Sequence, residues 1–275
     1  MKKVVLSDHT QDQADAAANK RRAEFEATTA AHASALSKRE AYHQELVENS
    51  EQLWTQKRYV AWFFSYMPRI SHALSSTPRA PQLAAAGRDE IVWNAGGDGE
   101  QRVLSALAGQ LSDEWVAVSG YKNPGGEIDV VLVGPDGVMA VEIKFVNGQV
   151  HCDGDRWWRD KSDKYGNVVE RNVAIADRKG RGPSAQVNAS ADRLQRFLAE
   201  RTPVKRVLRA VVFSHDASSI GTLKSVTVDA IATLTSFVPK RIYQEKLGTG
   251  HQLLVDDLVR LIGNDHVYHA SRKPR

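Results

Sequence analysis

Two short apolar runs around a turn carry the residues best suited to chemistry. The segment 126–145 reads GEIDVVLVGPDGVMAVEIKF, and its runs 128–133 and 138–145 are rich in β-branched residues. Between them stands Gly134-Pro135-Asp136-Gly137. Proline presets φ for the second position of a tight turn, and glycine suits the last. Two apolar runs around such a loop predict a β-hairpin.

The register of this hairpin would bring two acids and a lysine together. If Val133 pairs with Val138, Asp129 lies directly opposite Glu142. Lys144 stands two positions further along and therefore points to the same face. The other face then carries apolar side chains, namely Ile128, Val130, Ile143 and Phe145.

Carboxylates that face each other across a β-ladder repel, so their charge must be offset. A divalent cation, a shared proton, or an ion pair with Lys144 would each do so. The cation and the lysine are compatible, and together they make a hydrolytic site. The metal lowers the pKa of a bound water, and the lysine helps to hold that water as an ammonium or to deprotonate it as a neutral amine. A solvated hairpin face with an incidental ion pair is the alternative at this point.

Composition indicates a globular, mildly basic protein. The 275 residues are 42% hydrophobic, with a formal charge of +4 and a pI near 9.1. This charge permits nucleic-acid binding but is not diagnostic of it. The single cysteine, Cys152, excludes an intrachain disulfide framework, and we interpret it as an inert thiol rather than a nucleophile or metal ligand. No stretch has the pattern of a secretory signal or a membrane span, so we expect a cytoplasmic protein without membrane association.

The first third of the chain predicts a helical arm. Residues 8–57 lack proline and glycine and are rich in helix-forming residues. Leu46 and Leu53 are a heptad apart, but other large apolar residues are sparse, so a solvated arm and a homo-oligomerising coiled coil both stay open. An aromatic cluster from Trp54 to Tyr66 follows, which we expect to anchor the arm to the core; base stacking is the alternative.

Helix and strand patterns on either side of the hairpin predict the rest of the fold. Asp98 is a natural N-cap, which would place Glu100 in the first turn of a helix, where a plain dipole role is the alternative to a functional one. The patterns also predict strands at 115–119, 207–213 and 226–228, and helices at 184–201 and 251–262, before a basic tail at 272–275. Gln186 would lie in the first turn of the helix at 184–201.

The order of these elements predicts an α/β fold, with a mixed sheet flanked by helices. We divide the chain into a helical arm at 1–74, a linker at 75–88, the domain that carries the hairpin at 89–240, and a C-terminal helix with the basic tail at 241–275.

The clearest basic patch follows the hairpin. Between Arg193 and Arg209 the only acid is Glu200. Contact with the phosphates of a nucleic acid is one interpretation, and a solvated helix end is the other. The candidate nucleic-acid-binding residues are Arg193, Arg196, Lys205 and Arg206.

At this point the chain resembles a known family, the nuclease-related domain of the PD-(D/E)xK nuclease superfamily. The resemblance rests on an ordered set: Glu100 on a helix, Asp129, the Gly-Pro-Asp-Gly turn, Glu142-Ile-Lys144 and a later Pro-Ser-Ala-Gln186. It covers about residues 96–228 and implies a restriction-endonuclease-like core. Phe145 departs from the pattern, because many members have a polar residue there.

The resemblance implies a role for each matched residue. Asp129 and Glu142 would ligate one or two Mg²⁺ ions, with Mn²⁺ able to substitute, and Glu100 would bind metal directly or through water. Lys144 would orient and activate the attacking water, and Gln186 would position the nucleophile or a phosphate oxygen. The expected activity is hydrolysis of phosphodiester bonds in DNA. The alternative is a non-catalytic module that binds nucleic acid or protein and oligomerises through its arm.

Overall fold

The computed structural model describes residues 1–248 and 253–271. The helices in this part of the chain are α1 (His9–Thr55), α2 (Tyr59–Leu74), α3 (Arg88–Gln110), α4 (Pro183–Ala199), α5 (Pro239–Leu247) and α6 (Val255–Ala270). The strands are β1 (Lys2–Val5), β2 (Val116–Asn123), β3 (Gly126–Gly134), β4 (Gly137–Lys144), β5 (Gly148–Asp153), β6 (Arg156–Ser162), β7 (Val168–Ala174), β8 (Val207–Phe213), β9 (Ser218–Lys224) and β10 (Ala230–Thr233). Residues 14–91 form one compact unit, and residues 1–13 with those from 92 onward form the other.

A six-stranded mixed sheet forms the centre of the larger unit. Its strand order is β1-β2-β3-β4-β8-β10. The β2–β3 and β3–β4 pairs are antiparallel, whereas β4–β8, β8–β10 and β1–β2 are parallel. The α/β class and the mixed sheet flanked by helices are therefore confirmed.

The hairpin that organises the site has the predicted register. Val133 pairs with Val138, and Gly134 pairs with Gly137 at the turn. Gly134 is required for a packing reason as well, because a Cβ there would lie 2.3 Å from the indole of Trp115. The loop length thus fixes the register, and the register fixes which β4 side chains share a face.

Each face of the sheet is covered by helices. One core cluster joins Val131, Val133 and Val211 of the sheet to Val187 and Leu194 of α4. The other joins Leu132, Val141 and Val212 to side chains of α3 and α5. Because side chains alternate along a strand, Glu142 and Lys144 lie on the α4 side of β4.

Ile128 corrects the predicted face assignment. It packs with Val131 and Val133 on the α4 side, not with Val130 and Ile143. The reason lies in β2, where Gly120 has a φ of +68°. The β2–β3 ladder is interrupted there, between the pairs Ser119–Val130 and Tyr121–Ile128, and the side chains change face across the interruption.

The helix that carries Glu100 begins eleven residues earlier than expected, at Arg88 rather than Gly99. It starts at Arg88 and runs through the glycines, so Asp98 is not its N-cap and Glu100 is not in its first turn. Glycine weakens a helix but does not forbid it where packing stabilises the helix. The plain capping role for Glu100 is therefore wrong.

A second sheet consists of four strands that the sequence pattern did not predict. It contains β7, β6, β5 and β9 in that order. Mixed charge and the absence of regular alternation concealed these strands. The strand expected at 226–228 is wrong, because β9 and β10 lie on either side of it. The sequence also gave no sign of β1 or α5.

The predicted long helix is confirmed as α1. The aromatic cluster packs on α1, with the rings of Trp54 and Trp62 4.9 Å apart. Residues 76–87 form neither helix nor strand, and His32 and Arg21 of α1 bond to the carbonyls of Pro78 and Ala84. None of the helices described combines the length and apolarity needed to cross a bilayer.

The C-terminal helix is confirmed, although it extends to Ala270 rather than ending at Ile262. Its expected start at His251 and the basic tail from Arg272 lie outside the described residues.

Helix α6 is held on β2 by a buried histidine. The backbone N–H of Lys122 donates to Nδ1 of His266 at 3.0 Å, and the Tyr121 hydroxyl donates to Asp265. Burial, aided by the charge of Lys122, lowers the pKa of His266, although Glu127 and Asp265 act in the opposite direction.

We expect His266→Gln to flatten the dependence of stability on pH. A histidine with a lowered pKa binds fewer protons in the folded state, so its contribution is present above the unfolded pKa of about 6.5 and is lost as pH falls. Urea unfolding at neutral and mildly acidic pH measures this. The wild type should lose more stability than the variant on acidification. Equal losses would show that His266 is not the responsible group.

Candidate active site

All five residues predicted to form the site line one cavity of about 450 Å³. The cavity lies where β3 begins and β4 ends, between the first turn of α4 and the middle of α3. Its charged and amide-bearing lining residues are Glu100, Glu127, Asp129, Glu142, Lys144, Arg181 and Gln186.

Asp129 lies where the β3–β4 ladder stops. The last paired residues are Val130 and Val141, and beyond them the Asp129 carboxylate accepts a hydrogen bond from the backbone N–H of Ile143 at 2.7 Å. The side chain thus takes the place of a backbone acceptor. This bond orients Asp129 toward β4 and satisfies a donor that the ladder would otherwise leave unpaired.

Lys144 connects the two sides of the cavity. Its Nζ lies 2.6 Å from Oε1 of Glu142, and it donates to Oε1 of Gln186 at 3.1 Å. The Gln186 amide in turn donates to the carbonyl of Arg181 at 2.7 Å. The Glu142 side chain is only 4% exposed, whereas that of Lys144 is 26% exposed. The carboxylate of Glu142 is therefore almost entirely removed from water, whereas the Lys144 side chain that pairs with it is partly exposed.

Glu100 is brought to the cavity by a close helix approach. A Cβ at Gly99 would lie 2.7 Å from Oγ of Ser214 and 3.0 Å from Cβ of Phe145. The missing side chain lets α3 approach the ends of β4 and β8, and the next residue, Glu100, lines the cavity. The Ser214 hydroxyl is buried there without a hydrogen-bond partner in the described part of the chain.

The charges in the cavity act strongly on one another. Burial, together with the charges of Glu142 and Glu100, raises the pKa of Asp129 well above its ordinary value, against the influence of Lys144. Burial alone would lower the pKa of Lys144, but the charges of Glu142 and Asp129 outweigh it and raise that pKa. The side chain of Lys144 is therefore an ammonium. A further positive charge in the cavity would stabilise the ionised form of Asp129.

The donor set fits a hard divalent cation. No three His, Cys, Asp or Glu side chains are arranged as a complete metal site among residues 1–248 and 253–271. The chain instead offers Asp129 and Glu142, and Mg²⁺ is commonly held by one or two carboxylates plus water and substrate phosphate. A bound cation would favour the ionised form of Asp129, against the burial and the neighbouring acids that raise its pKa.

The candidate nucleic-acid-binding residues lie elsewhere. Lys205 and Arg206 precede β8 at its far end, which is about 20 Å from Lys144 at roughly 3.3 Å per strand residue. Arg206 forms an ion pair with Asp229, and Lys205 donates to the carbonyl of Ala199. Arg196 donates to the carbonyl of Asp192 within its own helix. The sequence could not show the ion pair of Arg206, since Asp229 is distant along the chain.

Arg181 and Phe145 are among the cavity residues that the sequence did not assign to the site. The guanidinium of Arg181 binds Asp177 with N–O distances of 2.8 and 2.9 Å. Phe145 was expected on the core side, yet it lines the cavity with its ring 4.8 Å from that of His215. Phe145 directly follows Lys144, and this position was the sequence feature that could have placed it at the cavity.

We expect Asp129→Asn to stabilise the metal-free protein. The asparagine can still accept from Ile143, but it removes a carboxylate that loss of hydration and the charge of Glu142 destabilise. In chelator, thermal unfolding should occur a few degrees higher than in the wild type, as about 1 kcal/mol corresponds to 2–4 °C for a domain of this size. Millimolar Mg²⁺ should raise the melting temperature of the wild type and leave the variant unchanged. A variant less stable than the wild type in chelator would contradict the electrostatic account.

Comparison with known proteins gives one match. Residues 95–214 match the family model described as the nuclease-related domain. This range contains all five cavity residues predicted from the sequence and excludes α1 and α2. No curated protein and no solved structure matches the chain.

Proposed function

We propose that this chain, whose residues 95–214 form a nuclease-related domain, is a Mg²⁺-dependent nuclease that hydrolyses phosphodiester bonds in DNA. The observation that carries the proposal is the meeting of a buried acid, a half-buried acid, an ammonium and an amide in one cavity. A site serving stability alone would not need two neighbouring carboxylates, since like charges at this spacing destabilise a sheet.

Asp129 and Glu142 are the residues that would hold the metal, with Glu100 as a direct or water-linked third. When bound, Mg²⁺ would supply polarisation of the scissile phosphate and acidify a neighbouring water, effects worth several kcal/mol. Mn²⁺ should substitute, since it also prefers oxygen ligands.

Lys144 would orient the attacking water and balance charge on the phosphate. Its raised pKa keeps it protonated at neutral pH, so it acts as a donor. Glu142, 2.6 Å away, fixes the position of its Nζ. A positive charge held next to the place where negative charge develops favours the transition state over the ground state.

Gln186 and Arg181 would form the phosphate-binding side of the cavity. Gln186 stands in the first turn of α4, whose dipole favours an anion there. Arg181 is 38% exposed in its side chain and is held by Asp177, which leaves part of its guanidinium available to a phosphate oxygen. These groups contact the DNA backbone and do not read its sequence.

The activity is tested by plasmid cleavage with Mg²⁺, with Mn²⁺ and with chelator. The wild type should cut only with metal, and Glu142→Gln and Lys144→Met should each lose at least about 100-fold in rate, as expected for groups that act on the transition state. Glu127→Gln is the matched control, because it lines the same cavity but pairs with Lys122 and should keep most of the activity.

Two results would overturn the assignment. If the wild type cuts and both site variants cut equally well, the chemistry lies elsewhere. If no DNA or RNA form is cut and calorimetry detects no Mn²⁺ binding at millimolar concentration, the chain is a binding module and not an enzyme.

The basic patch predicts a separate effect on binding. We expect Arg193→Ala with Arg196→Ala to weaken DNA binding and to flatten its salt dependence by about two in log–log slope, since each phosphate contact contributes about 0.9. Cleavage at saturating DNA should be unchanged. Arg241→Ala, which removes an exposed arginine paired with Glu245, is the control. Unchanged binding by the double variant would show that this patch is a solvated helix end.

A further inference from the structure

Helix α2 presents an uncovered apolar stripe. The stripe, called here the α2 seam, consists of Val60, Phe63, Met67, Ile70 and Leu74. Its members are 47% to 82% exposed, and α2 contains no buried residue. Contiguous exposed apolar surface of this kind marks an interaction site more often than a free surface.

The opposite side of α2 is already occupied by α1. The ring of Trp62 packs on that of Trp54, Arg69 donates to the hydroxyl of Ser50, and Arg39 donates to the carbonyl of His72. The polar groups of α2 are thus directed to α1, and its seam is directed away from it. Leu46 and Leu53, the heptad pair of α1, are partly buried in this hairpin.

The spacing of the seam specifies a helical partner. Its positions follow intervals of three, four, three and four, which is the 3.5-residue repeat of knobs-into-holes packing. The residues beside the seam carry no charge: Tyr59, Phe64, Tyr66, Ser71 and Ala73. A helix that lies on a membrane surface typically has a polar face rich in Lys and Arg, whereas the polar face of α2 is short and bonded to α1.

We propose that the α2 seam is the interface between two copies of this chain, which pair α2 against α2. A stripe without charges is complementary to itself, as a two-fold interface requires. Burying the five seam side chains and the flanking aromatics on both copies would remove on the order of 1,000 Å² or more from water, near the lower limit of specific interfaces. The heptad pair noted in the sequence lies in α1 and is partly buried, so the proposal places the contact between copies on α2.

The proposal is tested by sedimentation of the full chain. The wild type should be a dimer at micromolar concentration, and Phe63→Glu with Ile70→Glu should be a monomer, with its dissociation constant raised at least about 100-fold. Both substituted side chains are exposed, so helicity by circular dichroism should not change. Tyr165→Glu, which places a charge on an exposed aromatic in the other unit, is the control and should stay dimeric.

A second readout does not depend on charge. Cys152 is buried, so a Met67→Cys variant adds one accessible thiol at the centre of the seam. A short thiol-specific crosslinker should join two copies at that position, and Ala33→Cys, on an exposed position of α1, should not be joined. Met67 is the middle of the seam, so both parallel and antiparallel pairing bring it near its counterpart.

Three results would overturn the inference. They are a monomeric wild type, a dimer that survives the double substitution, and a monomer that instead co-sediments with phospholipid vesicles through α2. Cleavage activity is measured on the same samples. Loss of the dimer with retained cleavage, or the reverse, keeps this inference separate from the nuclease proposal.

Discussion

The fold around the cavity depends on the point where β3 and β4 separate. Up to Val130 and Val141 the two strands share backbone hydrogen bonds. One residue further, the Asp129 carboxylate accepts the Ile143 N–H. The side chain of Asp129 thus takes the place of a main-chain acceptor, so the ladder ends without leaving the Ile143 N–H unpaired. The same bond directs the Asp129 carboxylate toward β4, the strand that carries Glu142.

Three interactions stabilise the charged groups of the cavity. Lys144 lies on the same strand and neutralises Glu142 directly. The first turn of α4 contributes Gln186, which holds Lys144 from the opposite side of the cavity. Parallel pairing of β4 with β8, including Glu142 with Val211, keeps the backbone beneath both charges fixed. The charges of the site are therefore held by a sheet pairing, a helix end and an ion pair, each of which has its own packing.

Turn chemistry and period-two alternation were enough to give the hairpin register. The predicted pairing of Asp129 with Glu142 is not formed, because the ladder stops at Val130 and Val141 and the Asp129 carboxylate instead accepts from the N–H of Ile143. The placement of Glu100 and Gln186 rested on resemblance, since the contacts that bring α3 and α4 to β4 join residues far apart in the chain. Asp98 shows how a local rule fails. Aspartate often caps a helix, but here the helix continues through Asp98, and the close packing at Gly99 holds it against the sheet. Arg206 shows the same limit for charge, because Asp229 neutralises it from a segment that the local sequence does not include.

The pairing of β4 has a consequence for how the chain acquires its site during synthesis. Strands β3 and β4 are joined by a two-residue turn, so they can associate as soon as both have left the ribosome. Strand β8 and helix α4 are made later, and long-range strand pairing is slow because a large loop must close first. Until then both acids remain hydrated on a nascent hairpin. The electrostatic penalty of the cavity thus falls on the last steps of assembly, when most of the apolar core is available to offset it.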